Sequence, residues 1–231
     1  MNLKKILAPA TEAIRHYGLP FLAIQLCAVA LVISYYHSEA LRQFCERIAQ
    51  WKIEGGILFA MWTNVVVGAF FPEIVKMLFG KIKWPLTIAF GKDVLFHILL
   101  FTFTGFMVDM LYRTQGILFG YELNFWTLAK KVFVDMLIWN PFFAGPFCAL
   151  FFAWRKNHFS IKTTLRQYTL PFYKEKVLPI LFPTWLYWLP MVSCIYAMPS
   201  ALQFPLFLCA MAAWSLVYIF IAQAGVKDVI P

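Results

Sequence analysis

The chain has 231 residues, 62% hydrophobic and 13% charged, with a mean hydropathy of +0.71. A typical soluble domain is about 25% charged, so this composition excludes one and leaves room for a bundle of about six membrane helices. The formal net charge of +9 does not point to nucleic acid. The basic residues lie between hydrophobic spans, where membrane topology puts them, and form no concentrated face interleaved with aromatics.

The N-terminal residues MNLKKILAPATEAIRHYG carry two early lysines but no long apolar stretch ending at a small-residue cleavage site. They are expected to form a short segment on the positive side of the membrane rather than a removed signal peptide. A first span is predicted over Leu19–Tyr36, which is uncharged throughout. Residues 38–53 mix charges with apolar residues and predict an interfacial helix. A second span is predicted over 55–79, uncharged as far as Pro72 and carrying Glu73 and Lys76 near its end. A third covers 94–112 with His97 and Asp109 inside it, and a fourth covers 132–154 with Asp135 inside it. Residues 155–176 are basic and polar and predict an amphipathic connection. From Val177 to Val226 there is no Asp, Glu, Lys or Arg. One crossing of a bilayer core of roughly 30 Å takes about 20 residues, so this run holds two spans, with Met198-Pro199-Ser200 as the turn.

Six spans place both ends on one side. Fourteen of the 20 Lys and Arg residues then fall on that side, which is expected to be the cytoplasmic one. Trp51, Trp84, Trp126, Trp154, Trp185 and Trp188 fall near span ends, as in an aromatic belt. The five cysteines (Cys27, Cys45, Cys148, Cys194, Cys209) match no metal spacing and are expected to be small apolar fillers.

Polar groups within the membrane are costly and are the first candidates for function. Here they are Asn64, Glu73, His97, Asp109, Asp135 and Asn140. The fourth span is the most informative. Lys131 and Asp135 are four residues apart, so they share a helix face and can pair. Asn140 precedes Pro141, whose missing N–H frees a carbonyl within the helix. A broken helix with a polar face suits a water-lined cavity, and it equally suits an ion pair that docks one helix on another. Asp109 and Glu73 are expected near the membrane surface. His97 has no partner at metal-ligand spacing, and no catalytic set or phosphate loop is present. Small residues such as Gly56, Gly68, Gly105 and Gly145 suit close helix contact.

The fourth span, KKVFVDMLIWNPFFAGPF, resembles a motif of the family that includes the Mpv-seventeen protein and the twenty-two-kilodalton peroxisomal membrane protein. The motif is a Lys, an Asp-Gln four residues on, a Pro six after the Asp and an aromatic six after that. Lys131, Asp135, Pro141 and Phe147 fit these spacings, Gly145 is also in place, and Met136 stands where the family has Gln. Pro199 and Trp214 fit the fifteen-residue spacing at the end of the family pattern, and Trp51, Gly56 and Asn64 resemble its opening helix. Trp-Pro has become Trp188-Leu189-Pro190, Cys194 stands at the family's Asn, and the Arg after the final Pro is missing. The resemblance spans residues 51–223 and implies a small integral protein of peroxisomal, inner mitochondrial or related membranes, in a family associated with nonselective channel activity and metabolite balance.

The sequence therefore predicts an all-α, multi-pass transmembrane helix bundle of about six spans. It is expected to form one membrane domain over 1–231, with an N-terminal span and interfacial helix over 1–50 added to the family-like part. The expected function is a small-solute channel or transport-related bundle; the rival is a membrane scaffold or assembly factor. Neither an enzyme nor a cofactor is expected. The expected partners are the lipid bilayer and, beyond it, a second copy or another membrane protein. The membrane is either a bacterial inner membrane or that of an organelle.

Overall fold

A computed structural model gives the backbone of residues 3–78, 88–122 and 124–227, with side chains described for 18–78, 88, 90–122 and 124–217. Trp84, Lys81 and Lys83 lie outside the described residues. The described chain is helical, without a strand. Seven helices follow in order: α1 (Leu3–His37), α2 (Glu39–Leu78), α3 (Ile88–Phe119), α4 (Phe125–Lys156), α5 (Ile161–Gln167), α6 (Leu170–Tyr196) and α7 (Ser200–Lys227). All but α5 contain a stretch long and apolar enough to cross a membrane. The chain is thus an all-α, multi-pass integral membrane protein of six spans, and exposed Leu19, Leu22, Leu26, Val29 and Ile33 on α1 are explained by lipid contact.

Forty residues of α2 would reach about 60 Å, twice a bilayer core, if the helix were straight. It is interrupted at Gly56, whose φ of 54° and ψ of −134° are non-helical. That break separates the charged stretch 39–53 from the membrane part, as the sequence anticipates. Ser38 caps the N-terminus of α2, accepting from the Leu41 N–H at 3.4 Å.

The boundaries differ from expectation in three places. Helix α3 outruns the predicted 94–112 at both ends. Helix α4 starts at Phe125, capped by Asn124, which accepts from the Thr127 N–H at 2.9 Å. Residues 155–176 are not one amphipathic connection: a tight turn with His158 and Phe159 at positive φ leads into short α5, and residues 170–176 already belong to α6. The turn between α6 and α7 falls at 197–199, where expected, with the Leu202 N–H on the Pro199 carbonyl at 2.8 Å.

The core lies along α7, which is buried from Phe204 to Val217 with few interruptions. Helix α1 packs on α7 and is tied to α6 by Gln25, whose Nε2 donates to the Tyr187 hydroxyl at 3.3 Å. Helices α2 and α3 meet across Gly105, where a Cβ would lie 2.8 Å from the Met61 Cα and 2.9 Å from the Ala60 carbonyl oxygen. Only glycine permits that approach.

Candidate functional site

The middle of α4 is not α-helical. Val134–Ala144 forms eleven residues of π-helix, in which each N–H reaches five residues back. The register decides which carbonyls the prolines orphan. Pro141 has no N–H, so the Met136 carbonyl loses its donor. The indole Nε1 of Trp185 on α6 donates to it at 2.7 Å. The Gly145 N–H reaches the Asn140 carbonyl, so the next residue, Pro146, orphans the Pro141 carbonyl. The Tyr173 hydroxyl on α6 donates to that oxygen at 3.0 Å. The same device recurs in α2, where Val66–Phe70 is a π-turn followed by Pro72. Five residues before Pro72 is Val67, and its carbonyl accepts from Ser215 Oγ of α7 at 3.1 Å. Three prolines therefore expose three carbonyls, and each is met by a donor from another helix. An unpaired backbone carbonyl in hydrocarbon costs several kcal/mol by rough estimate, so these bonds position α6 and α7.

Against this frame of docked helices lie two adjoining cavities. The first, about 140 Å³, lies between α3, α4, α6 and α7. Its walls are apolar and aromatic (Phe101, Trp139, Trp188, Phe207, Met211 and Trp214 among them), with Thr104, Thr184, Asp135 and Asn140 as the polar groups. Asp135 is 6% exposed. Its Oδ1 accepts from Asn140 Nδ2 at 3.3 Å, and the same nitrogen lies 3.1 Å from the Asp135 carbonyl oxygen. The second cavity, about 170 Å³, is lined by Lys52, Tyr112, Gln115, Tyr121, Lys131, Tyr196 and Gln203, with Val192, Ile195, Phe204 and Phe207. Tyr112, Val192 and Phe207 belong to both linings and form the partition between them.

Lys131 and Asp135 do not pair, contrary to expectation. The Lys131 ammonium lies 5.4 Å from the centre of the Tyr121 ring, in the second cavity, while Asp135 faces the first. The α-helical spacing that would stack them ends at Phe133, and the wider π-turn beginning at Val134 carries Asp135 toward Asn140. The structure thus brings Asp135, Asn140 and Pro141 together and assigns Lys131 to a neighbouring space.

The other candidates are dispersed. Asn64 is 1% exposed and donates to the Ala60 carbonyl at 2.9 Å, beside the α2–α3 contact at Gly105. Asp109 pairs with Arg113 at 2.5 Å. Glu73 pairs with Lys76 at 2.7 Å, and His97 Nδ1 lies 3.8 Å from the same carboxylate oxygen. This cluster, with Arg155 bonded to Asp93 nearby in sequence to His97, gathers the ends of α2, α3 and α4 opposite to those that carry Lys52, Arg113 and Lys131. No group of three or more metal-ligating side chains occurs among the described residues.

Sequence reasoning missed Lys52, Tyr112, Gln115 and Phe207 as cavity residues, and Trp185 and Tyr173 as docking donors. Lys52 looks like one more interfacial charge. Trp185 and Trp188 were expected in an aromatic belt; instead Trp188 is buried and Trp185 binds α4. The one available signal was proline spacing: Pro141 and Pro146 are five apart.

Comparison with protein families, with curated proteins and with solved structures returns no match for this chain. The class it belongs to, a six-span helical membrane protein, rests on its own helices.

Proposed function

We propose that the bundle is a passage for small solutes. The observation that carries this reading is the pair of adjoining cavities, one presenting two lysines and the other a buried carboxyl, separated by Tyr112, Val192 and Phe207. Polar groups line spaces inside the bundle rather than the lipid face, as in membrane proteins that move solutes. The resemblance of α4 to the Mpv-seventeen family supports the same reading, as does the six-span architecture. Purified protein in liposomes should release small encapsulated metabolites. Asp135→Asn keeps the size of the side chain and an acceptor for Asn140 but removes the acid. It should raise anion permeability relative to cation permeability severalfold. Tight liposomes holding well-folded protein, or a variant with unchanged selectivity, would count decisively against a passage.

One observation favours a scaffold instead. Trp185, Tyr173, Ser215 and Gln115 all spend side-chain donors on backbone carbonyls of neighbouring segments. A scaffold would yield a copurifying membrane protein in mild detergent and impermeable liposomes, whereas a monodisperse protein with flux sinks it. We also propose that the N-terminal side, with its excess of Lys and Arg, faces the cytoplasm.

A further inference from the structure

The second cavity contains two cations without an acid. Lys52 and Lys131 are both half-buried, and neither makes an ion pair among the described residues. The Lys52 ammonium sits 4.8 Å from the Phe204 ring centre and 5.9 Å from that of Tyr112. The Lys131 ammonium sits over Tyr121. The acid whose charge reaches Lys52, Asp109, is held by Arg113 at 2.5 Å. Aromatic faces hold an ammonium in place without neutralising it, so its charge stays available to an anion. The half-buried Lys131 ammonium, resting on the Tyr121 ring, has lost part of its water without gaining a counter-charge, and Lys52 shares the charge of Asp109 with Arg113.

A second observation sets the ligand's shape. Gln115 is 1% exposed and lines the same cavity. Its Nε2 donates to the Lys131 carbonyl at 3.1 Å, which fixes the amide's orientation and leaves Oε1 as a buried acceptor with no donor among the described residues. Buried amide oxygens are rarely left so, and an anion alone cannot satisfy one. The space is about 170 Å³, where a single water needs about 10–15 Å³, so a small organic molecule fits.

We propose that this cavity binds a small hydroxylated organic anion. Its carboxylate or phosphate lies between Lys52 and Lys131, and its hydroxyl donates to Gln115 Oε1. The assignment names the solute class of the passage proposed above and rests on that reading only for transport, not for binding. A carboxylate solute and a phosphoglycerol lipid headgroup share this chemistry, and the test separates them.

The experiment is calorimetric titration of the intact protein in detergent with glycerate, propionate (same charge, no hydroxyl) and glycerol (hydroxyl, no charge). Glycerate should bind saturably, propionate about tenfold more weakly, and glycerol not measurably, following the tenfold-per-bond scale of a single charge-assisted or hydroxyl contact. Lys131→Met and Lys52→Met should each weaken glycerate about tenfold or more. Gln115→Leu should bring glycerate down to the level of propionate. If Lys52→Met does not purify as a folded protein, Lys52→Arg should retain affinity while Lys131→Met loses it. Absence of glycerate binding, equal affinity for propionate, or insensitivity to Lys131→Met overturns the site. Phosphatidylglycerol that binds where glycerate does not transfers the cavity to a lipid and overturns the solute assignment. Glycerate binding without flux leaves this site standing and removes the passage; flux without glycerate binding does the reverse.

Discussion

At the residue scale, two glycines do work that no other side chain can. Gly56 holds a φ of 54° and ψ of −134°, outside the region open to L side chains, and so turns the interfacial part of α2 into its membrane part. Gly105 lets α2 and α3 touch backbone to backbone, with a Cβ there meeting Met61 Cα at 2.8 Å. Gly105→Val should therefore destabilise the bundle by about 1–3 kcal/mol, the usual cost of overpacking, because the obstruction is backbone and cannot swing aside. Thermal unfolding in detergent checks it; Gly91→Val, with nothing among the described residues within 4 Å of its Cβ position, is the control and should leave the midpoint nearly unchanged. A Gly105 variant as stable as the wild type would mean that α2 and α3 do not pack as described. The glycines were visible in the sequence as suitable for close contact, but which of them mattered was not. Lys131 and Asp135 show the same limit from the other direction. Their spacing of four predicts a pair only if the helix keeps 3.6 residues per turn, and it does not.

At the element scale, the π-helix in α4 and the π-turn in α2 are the decisive departures from regular structure. Each precedes a proline, and each orphaned carbonyl finds a donor on a later helix: Trp185, Tyr173 or Ser215. The pairing is testable by a double-mutant cycle. Trp185→Phe keeps the ring and removes the donor, and should cost about 1–3 kcal/mol, the penalty for an unsatisfied buried acceptor. In a Pro141→Ala background the restored N–H can serve the helix, so the same substitution should cost markedly less. The non-additivity measures the bond. Equal losses in both backgrounds would show that Trp185 matters only through packing. Sequence alone showed that Pro141 would free a carbonyl. It could not show which one, because that depends on whether the register is four or five.

At the scale of the whole molecule, six apolar helices return the chain to the side on which it began. Contacts sort the charges into two groups at opposite ends: Lys76, Asp93 and Arg155 with Glu73 and His97 at one, and Lys52, Asp109, Arg113 and Lys131 at the other. Reporter tags at the N-terminus and in the 157–160 turn should be labelled from one face of sealed vesicles. Tags at 120–122 and 197–199 should be labelled from the other. Any mixed result would require a different number of crossings. The positive-inside proposal further expects the N-terminal tag on the cytoplasmic face.

Hydropathy alone determined the class, a count of about six spans, the boundary between the charged stretch 38–53 and the span that follows it, and the turn at Pro199. Those depend on the free-energy cost of placing polar groups in hydrocarbon, which adds up locally along the chain. Only the tertiary structure decided what the polar residues face. Burial of Lys52 beside Tyr112 and Phe204, the separation of Lys131 from Asp135, and the turning of Trp185 from the membrane surface onto the Met136 carbonyl all arise where distant helices meet. A local pattern has no access to such contacts, since the donor that satisfies a carbonyl in α4 lies 49 residues further along the chain.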